Sequence, residues 1–201
     1  LDKVDLSVGI DCSLRRITPQ TINRGMAKNG ALPREESIET AIHSAINWAP
    51  WRFITIDAGL RISLFAHDRT WCYPEPRISI EFPITAQTRL WLSYNILAQY
   101  IQSVPQSNTS FATDFYITSS RYIPPQLSHN LSLGYASKAL AGRLRWSIEA
   151  FYRYMNNVVE YDSHILDVLS GNSDYNTTTH SGRGESYGLE TNIAYNDKCF
   201  D

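Results

Sequence analysis

Three pairs of opposite charges stand four residues apart in the sequence and are the first candidates for acid–base chemistry. They are Asp57 with Arg61, Arg77 with Glu81, and Glu149 with Arg153. A general acid and a general base must both reach the reacting atoms. Four residues along a strand put two side chains on the same face but two pleats apart. We therefore interpret these residues as charges of a wet surface that pair across strands, and we expect no catalytic residue.

The histidine, cysteine and glycine patterns predict no metal or phosphate site. His43 and His129 have no partner at metal-ligand spacing, and the three cysteines lie far apart at Cys12, Cys72 and Cys199. Whether any two of them form a disulfide stays open. The stretch 182–184 (Gly-Arg-Gly) precedes a strand pattern rather than a helix, so we expect a tight loop exit there instead of a phosphate cradle. We expect no metal and no bound cofactor.

The composition excludes some classes of function and leaves others open. The net charge is −2 with mixed signs, so no basic face is available for nucleic acid. No run approaches the roughly 20 apolar residues of a membrane helix. Strands that cross a membrane alternate apolar and polar residues, and their mean hydropathy is therefore unremarkable. The 12 tyrosines and 5 tryptophans suit interfacial girdles, although many all-β proteins are equally rich in them.

Alternation with a period of two recurs along the chain and predicts about eight strands. The alternating segments are 3–14, 38–48, 53–65, 77–84, 89–100, 127–135, 144–154 and 187–195. Most of them reach the roughly 9–11 residues of a tilted membrane strand. The apolar face of these segments carries no Asp, Glu, Lys or Arg. Aromatic residues lie toward its ends, at Trp48, Tyr100, Tyr135 and Tyr154.

The connections between these segments alternate in length. The short ones are 49–51, 85–88 and 138–142, and the long ones are 15–37, 66–76, 101–126 and 161–186. Tight turns at one end and long polar loops at the other are typical of outer-membrane barrels. The sequence therefore predicts an all-β fold, an antiparallel up-and-down transmembrane β-barrel.

Aromatic residues and one arginine in the predicted loops are candidates for ligand binding. The link 66–76 carries Trp71 and Tyr73, and the link 101–126 carries Phe115, Tyr116, Arg121 and Tyr122. Aromatic rings beside a guanidinium can hold a glycan, a siderophore or a peptide. The same residues could instead anchor the loops at the interface or pack them, and the sequence leaves both readings open.

Several stretches resemble the barrel strands of a known family. They are Pro76–Ile84, Thr88–Ile101, the Ile123-Pro124-Pro125-Gln126 stretch that leads to Tyr135, Glu149–Val159 and Gly182–Glu190. In order and spacing these stretches resemble TonB-dependent outer-membrane receptors, and most closely the versions found in Bacteroidetes. The resemblance covers roughly 38–195.

The resemblance implies an importer with a barrel of about 22 strands, a plug domain and a segment that couples to TonB. We expect residues 1–201 to be a partial barrel of about eight strands, with the plug and the remaining strands absent. Its expected partners are outer-membrane lipid, TonB through the absent plug, and a siderophore, haem, vitamin or glycan as cargo. The expected location is the bacterial outer membrane, and no enzymatic activity is expected.

Two other classes of protein remain as alternatives. A self-contained eight-stranded barrel could serve as an adhesin or a structural anchor if its first and last strands paired. A soluble lipocalin-like domain could bind a small apolar ligand if the apolar face were buried inside it.

Overall fold

A computed structural model describes residues 3–17, 35–104, 115–161 and 179–196. All eight predicted strands are present, at Lys3–Ile17 (β1), Glu35–Trp51 (β2), Ile54–Ala66 (β3), Thr70–Thr85 (β4), Thr88–Gln99 (β5), Gln126–Ala139 (β8), Leu144–Tyr161 (β9) and Thr179–Tyr195 (β10). Two short strands, Ile101–Val104 (β6) and Phe115–Thr118 (β7), form a separate hairpin. Among these residues there is no helix of the length and apolarity needed to cross a membrane.

The eight long strands form one antiparallel sheet in chain order, β1-β2-β3-β4-β5-β8-β9-β10. Within the described residues β1 pairs only with β2, and β10 pairs only with β9. The pairing that would close a self-contained eight-stranded barrel is therefore not found in this part of the chain. The predicted barrel fold is confirmed as an open section of a barrel wall, and the closed small barrel is not supported.

The two faces of the sheet differ as the alternation predicts. Side chains of the apolar face are exposed in this sheet, including Leu6 (71 %), Ile42 (56 %) and Leu133 (49 %). A lipocalin-like domain would bury this face, so its exposure contradicts that alternative. The opposite, polar face carries the hydrogen-bonded networks described below.

Aromatic residues form two bands on the apolar face. Near the short turns, the rings of Tyr135 and Trp146 lie 5.1 Å apart. Toward the other end, Tyr94 is hydrogen-bonded to His129 and the His129 ring lies 6.3 Å from that of Tyr154. The predicted place of Tyr100 in such a band is wrong. Tyr100 follows the end of β5 and is 3 % exposed, stacked on Phe65 of the polar face.

Glycines on the polar face accommodate aromatic rings from the neighbouring strand. Trp91 pairs with Gly134, and Phe151 pairs with Gly188. A Cβ added to Gly134 would overlap the Trp91 indole ring, and one added to Gly188 would come within 2.9 Å of the Phe151 ring. Each ring thus lies flat over a glycine of the paired strand, and this cross-strand packing fixes the register.

We predict that Gly134→Ala destabilises the barrel by about 1–3 kcal/mol, because the rigid Trp91 ring must leave its position. Gly182→Ala is the matched control, since the nearest atom to its added Cβ is the Val158 carbonyl oxygen at 4.0 Å. We expect the control to change stability by less than about 0.5 kcal/mol. Urea unfolding of the complete protein in lipid vesicles measures both, and equal effects of the two substitutions would contradict this account of the packing.

The predicted long link 66–76 is wrong. Only residues 67–69 connect β3 to β4, and β4 begins at Thr70. Proline interrupts a hydrogen-bonded ladder, and β4 carries Pro74 and Pro76. In the fold, residues 70–76 of β4 pair with β3, whereas pairing with β5 begins only at Arg77. The prolines are tolerated because the ladder between β4 and β5 does not extend to them.

Two further long links are described in part, and both contain strands. Of the link 15–37, residues 18–34 lie outside the described residues. The hairpin β6–β7 lies within the predicted link 101–126, and β10 begins at Thr179 rather than at 187. Gly182 and Gly184 therefore lie inside a strand and do not form the predicted loop exit. The register shifts between Gly182 and Arg183, opposite the extra residue Asn157, whose φ is 58°. Asparagine adopts this left-handed conformation more readily than most residues.

Candidate ligand-binding wall

A network of ion pairs crosses the polar face near the end of the sheet that carries the long links, here called the loop end. Its centre is Arg61, which donates hydrogen bonds to Glu39 (2.9 Å) and Glu75 (2.8 Å). The second oxygen of Glu39 pairs with Arg15 at 2.7 Å. The Glu39 and Glu75 side chains are only 11 % and 6 % exposed. Four strands, β1 to β4, are thus joined by charge-assisted hydrogen bonds.

The network continues to the residue that follows β5. The Ser63 hydroxyl donates to Glu75 at 2.5 Å, and it lies 2.6 Å from the Tyr100 hydroxyl. Because the single Ser63 proton is used on Glu75, Tyr100 must be the donor in the second bond. Burial raises the pKa of Tyr100 to about 12, so its hydroxyl is protonated at neutral pH. The network therefore links the sheet to the segment that starts at Tyr100.

The described residues 100–104 and 115–125, which contain β6 and β7 and are here together called the segment 100–125, pack onto the polar face at the loop end. The Tyr100 ring stacks on Phe65 with the centroids 4.6 Å apart and the planes 2° apart. Ile117 and Ile123 are 2 % and 3 % exposed. The segment is also held by hydrogen bonds from Asn157 Nδ2 to the Pro125 carbonyl oxygen and from the Val159 amide to Gln102 Oε1. This segment therefore occupies part of the space beside the polar face at the loop end.

The predicted ligand-binding residues fall into two groups in the described contacts. Trp71 and Tyr73 lie on β4 rather than on a loop, with their rings 6.3 Å apart and 16° from parallel. The Arg69 guanidinium lies 4.2 Å from the centroid of the Trp71 ring. The centroid of the Tyr73 ring in turn lies 6.5 Å from that of the Tyr100 ring. This first group is a continuous set of aromatic rings at the loop end of the polar face.

The second group belongs to the segment 100–125. Tyr116 and Tyr122 are 53 % and 65 % exposed. The Arg121 backbone amide and guanidinium both donate to Asp68, in the turn between β3 and β4. Phe115 is the first residue of β7. Among the hydrogen bonds, ion pairs and ring contacts of the described residues, none joins Tyr116, Arg121 or Tyr122 to Trp71 or Tyr73. That these residues bind a ligand stays a prediction.

The interpretation of the charged pairs is confirmed for Arg61, whose carboxylate partners come from neighbouring strands. Glu81 likewise pairs across strands with Arg89 at 3.3 Å. Among the described residues, Asp57, Arg77 and Glu149 make no ion pair. Arg153 bonds to the amide of Asn130 instead.

The structure also describes two of the three cysteines and His43, which were considered as candidates for a disulfide or a metal site. Cys12 and Cys72 are free thiols, and Cys199 lies outside the described residues. His43 pairs with Asp11 on the polar face at 3.3 Å. Within the described ranges no three His, Cys, Asp or Glu side chains are grouped so as to hold a metal ion.

A groove on β5, β8 and β9 was missed by the sequence analysis. It has a volume of about 710 Å³ and is lined by neutral hydrogen-bonding side chains together with Phe151, Arg153 and Glu149. Ser93 bonds to Ser132 at 2.8 Å, and Asn130 donates to Asn95 at 2.8 Å. The signal in the sequence is a polar face of β5 and β8 that is free of charge from 93 to 99 and from 126 to 132.

Comparisons with known proteins agree with this geometry. The family model for TonB-dependent receptor-like β-barrels matches residues 35–201. No curated protein sequence matches the chain significantly. The Bacteroidetes origin suggested by the resemblance stays a prediction.

Three solved structures show the same fold at low sequence identity. The ferric-catecholate import receptor Fiu of Escherichia coli K12 aligns over 97 % of this chain and 33 % of its own, with 13 % identity and a TM-score of 0.64. The siderophore receptor PirA of Acinetobacter baumannii aligns over 97 % and 32 %, with 13 % identity and a TM-score of 0.64. The outer-membrane ferripyoverdine receptor of Pseudomonas aeruginosa aligns over 96 % and 28 %, with 15 % identity and a TM-score of 0.59.

The chain thus spans about a third of the length of these receptors. The family model covers most of the sequence, and the sheet has the antiparallel order and the two-faced pattern of a membrane barrel. The chain belongs to the family of TonB-dependent receptor β-barrels, which lie in the bacterial outer membrane.

Proposed function

We propose that this chain forms part of the lumen wall and the extracellular rim of a receptor that imports a nutrient ligand with energy delivered through TonB. The observation that carries the proposal is the open, two-faced sheet of a family whose barrels are built from more strands. Edge strands with unpaired backbone groups are unstable in lipid, so β1 and β10 require further strands of a larger barrel.

The two faces support an orientation within the membrane. The apolar face, with its two aromatic bands, contacts lipid, and the polar face lines an aqueous lumen. The short turns then lie on the periplasmic side, and the loop end lies outside the cell. The chain itself carries no coupling function in this proposal, and TonB acts through a plug domain.

The loop end is the proposed site of ligand recognition. Trp71 and Tyr73 offer rings on the wall, and Tyr116, Arg121 and Tyr122 offer exposed groups on the segment above it. Rings beside a guanidinium can bind siderophores, haem, vitamins or glycans. Fiu is described as a ferric-catecholate import receptor and PirA as a siderophore receptor, and a ferric siderophore is therefore the first cargo to test here.

Uptake by cells that express the complete receptor tests the proposal. We expect one member of a panel of labelled ferric siderophores, haem, cobalamin and oligosaccharides to accumulate above the level in vector-only cells. A protonophore should abolish this accumulation, because the energy comes from the inner-membrane proton gradient. Accumulation that only equilibrates and ignores the protonophore would show a passive pore and overturn the proposal.

A further inference from the structure

Four polar side chains lie in one register row across the polar face. Arg77 of β4 pairs with Asn95 of β5, Asn95 pairs with Asn130 of β8, and Asn130 pairs with Arg153 of β9. Paired residues of neighbouring strands point to the same face, so all four side chains face the proposed lumen. The row crosses three interstrand spacings, a span of about 14 Å between the outer Cα atoms.

The order of hydrogen bonds in this row is dictated by Arg153, which can only donate. Its Nε bonds to Asn130 Oδ1 at 2.7 Å, so the Asn130 oxygen must face β9. The Asn130 amide nitrogen then faces β5 and donates to Asn95 Oδ1 at 2.8 Å. With its oxygen used in this way, Asn95 turns its own NH₂ group away from Asn130. Arg153, together with the Ser128 hydroxyl that donates to the same oxygen at 3.0 Å, thereby fixes the orientation of two amides.

At the β4 end of the row, the two neighbouring side chains therefore offer only hydrogen-bond donors. The Asn95 NH₂ group is directed toward β4, where the residue opposite is Arg77, whose guanidinium also only donates. The Arg77 side chain lies over Gly59 and makes no ion pair with a described residue. No side chain among the described residues accepts a hydrogen bond from either group. An acceptor from outside the wall would satisfy the Asn95 donors.

Nearby carboxylates do not supply this acceptor. Asp57, two residues from Gly59 on the same face of β3, makes no ion pair with a described residue. Asp11 is paired with His43, and Glu75 is bonded to Arg61 and Ser63. Glu149 lies four residues from Arg153 along β9, about 13 Å away, and Glu190 is opposite Glu149.

The row also has room for a ligand. Asn95 lines both the groove of about 710 Å³ that contains Asn130 and Arg153 and a second groove of about 540 Å³ that contains Arg77. The donors are thus open to solvent from two adjoining grooves.

We propose that this row is a binding site for an oxyanion, a carboxylate or a phosphate group, carried by a ligand that passes through the lumen. The proposal rests on the proposed function only for the ligand's route. The anion accepts hydrogen bonds from the Asn95 NH₂ group, and Arg77 of the adjacent strand contributes positive charge. Arg153 sets the polarity from the far end of the row. Planar guanidinium and amide donors match the geometry of carboxylate and phosphate oxygens.

Calorimetric titration of the complete protein in detergent at low ionic strength tests the site, with citrate and inorganic phosphate as separate probes. Asn95→Leu removes the donors, and Asn47→Leu is the matched control, an amide on the polar face of β2 outside the row. We expect Asn95→Leu to weaken binding about tenfold, as the loss of a hydrogen bond to a charged group does. Asn47→Leu should leave binding unchanged.

A second variant tests the polarity of the row. Arg153→Glu replaces the donor with an acceptor, so both amides should turn and Asn95 should present its oxygen. Anion binding should then fall at least as far as in Asn95→Leu. Weakening for citrate alone identifies a carboxylate ligand, weakening for phosphate alone identifies a phosphate ligand, and weakening for both supports a general oxyanion site.

The inference is overturned if neither probe binds the unmodified protein, or if Asn95→Leu and Asn47→Leu bind alike. Direct binding does not depend on energised uptake. Passive transport would therefore refute the proposed function and leave this site intact, whereas active uptake with unchanged binding in Asn95→Leu would refute only the site.

Discussion

Leu133→Arg is expected to destabilise the barrel by about 2–4 kcal/mol, the cost of an arginine near the middle of a bilayer. Leu133 is on the apolar face of β8 and is 49 % exposed in this sheet. It pairs with Leu92 and Ala150, two residues along from Tyr135. Among the described residues, no acidic side chain of this face lies beside Leu133. Urea unfolding of the complete protein in vesicles of fixed lipid composition measures the change.

Leu97→Arg is the matched control for this prediction. It makes the same chemical change at a leucine that is 53 % exposed but lies on the polar face, where it lines both grooves. An arginine there is solvated by the lumen, and the expected change is within about 0.5 kcal/mol. If Leu97→Arg cost as much as Leu133→Arg, the assignment of the two faces to lipid and water would be contradicted.

Arg61→Ala is the second large effect, with an expected loss of about 3–5 kcal/mol. The substitution leaves Glu39 and Glu75 largely buried, with their shared cation gone. Arg15 can still pair with Glu39, but Glu75 keeps only the Ser63 hydroxyl and the Ala98 amide as donors. Because Ser63 also bonds to Tyr100, the segment 100–125 should loosen as well.

Arg89→Ala is the control for the ion-pair network. Arg89 and Glu81 are 57 % and 40 % exposed and form a single pair at 3.3 Å, which is worth about 0–1 kcal/mol. Limited proteolysis near Tyr122 adds a second readout, since Arg61→Ala should speed cleavage of the segment and Arg89→Ala should not. Equal stability losses in the two variants would mean that the burial of Glu39 and Glu75 is energetically unimportant.

The strands could be predicted from the sequence because the sheet has one apolar and one polar face. The type of each residue therefore indicates the face on which its side chain lies. In β3, for example, Ile54, Ile56 and Leu60 alternate with Thr55, Asp57 and Gly59, and this needs no knowledge of the neighbours. The incorrect predictions occur where the pairing with neighbouring strands determines the structure. The link predicted at 66–76 is mostly strand, and Pro74 and Pro76 fit within β4 because β5 does not pair with that stretch.

The polar networks could not be predicted because they depend on register. Arg61 meets Glu39 and Glu75 only after three strands are aligned, and these residues are 22 and 14 positions away in sequence. The Arg77–Asn95–Asn130–Arg153 row could not be predicted for the same reason, because its members come from four strands that must first be aligned. The alternation of β5 predicts Tyr100 on the apolar face. The strand ends at Gln99, however, and the Tyr100 ring stacks on Phe65 of the polar face.

The central claim is that one face of this wall meets lipid and the other meets water, and spin labels placed along β8 test it most directly. Single cysteines at 127–135, after serine replaces Cys12, Cys72 and Cys199, would carry the labels in the complete protein in vesicles. We predict that oxygen, which partitions into lipid, relaxes the odd-numbered labels more strongly, and that a water-soluble nickel chelate relaxes the even-numbered ones. Accessibility without this period of two, or with the two sets exchanged, would contradict the account.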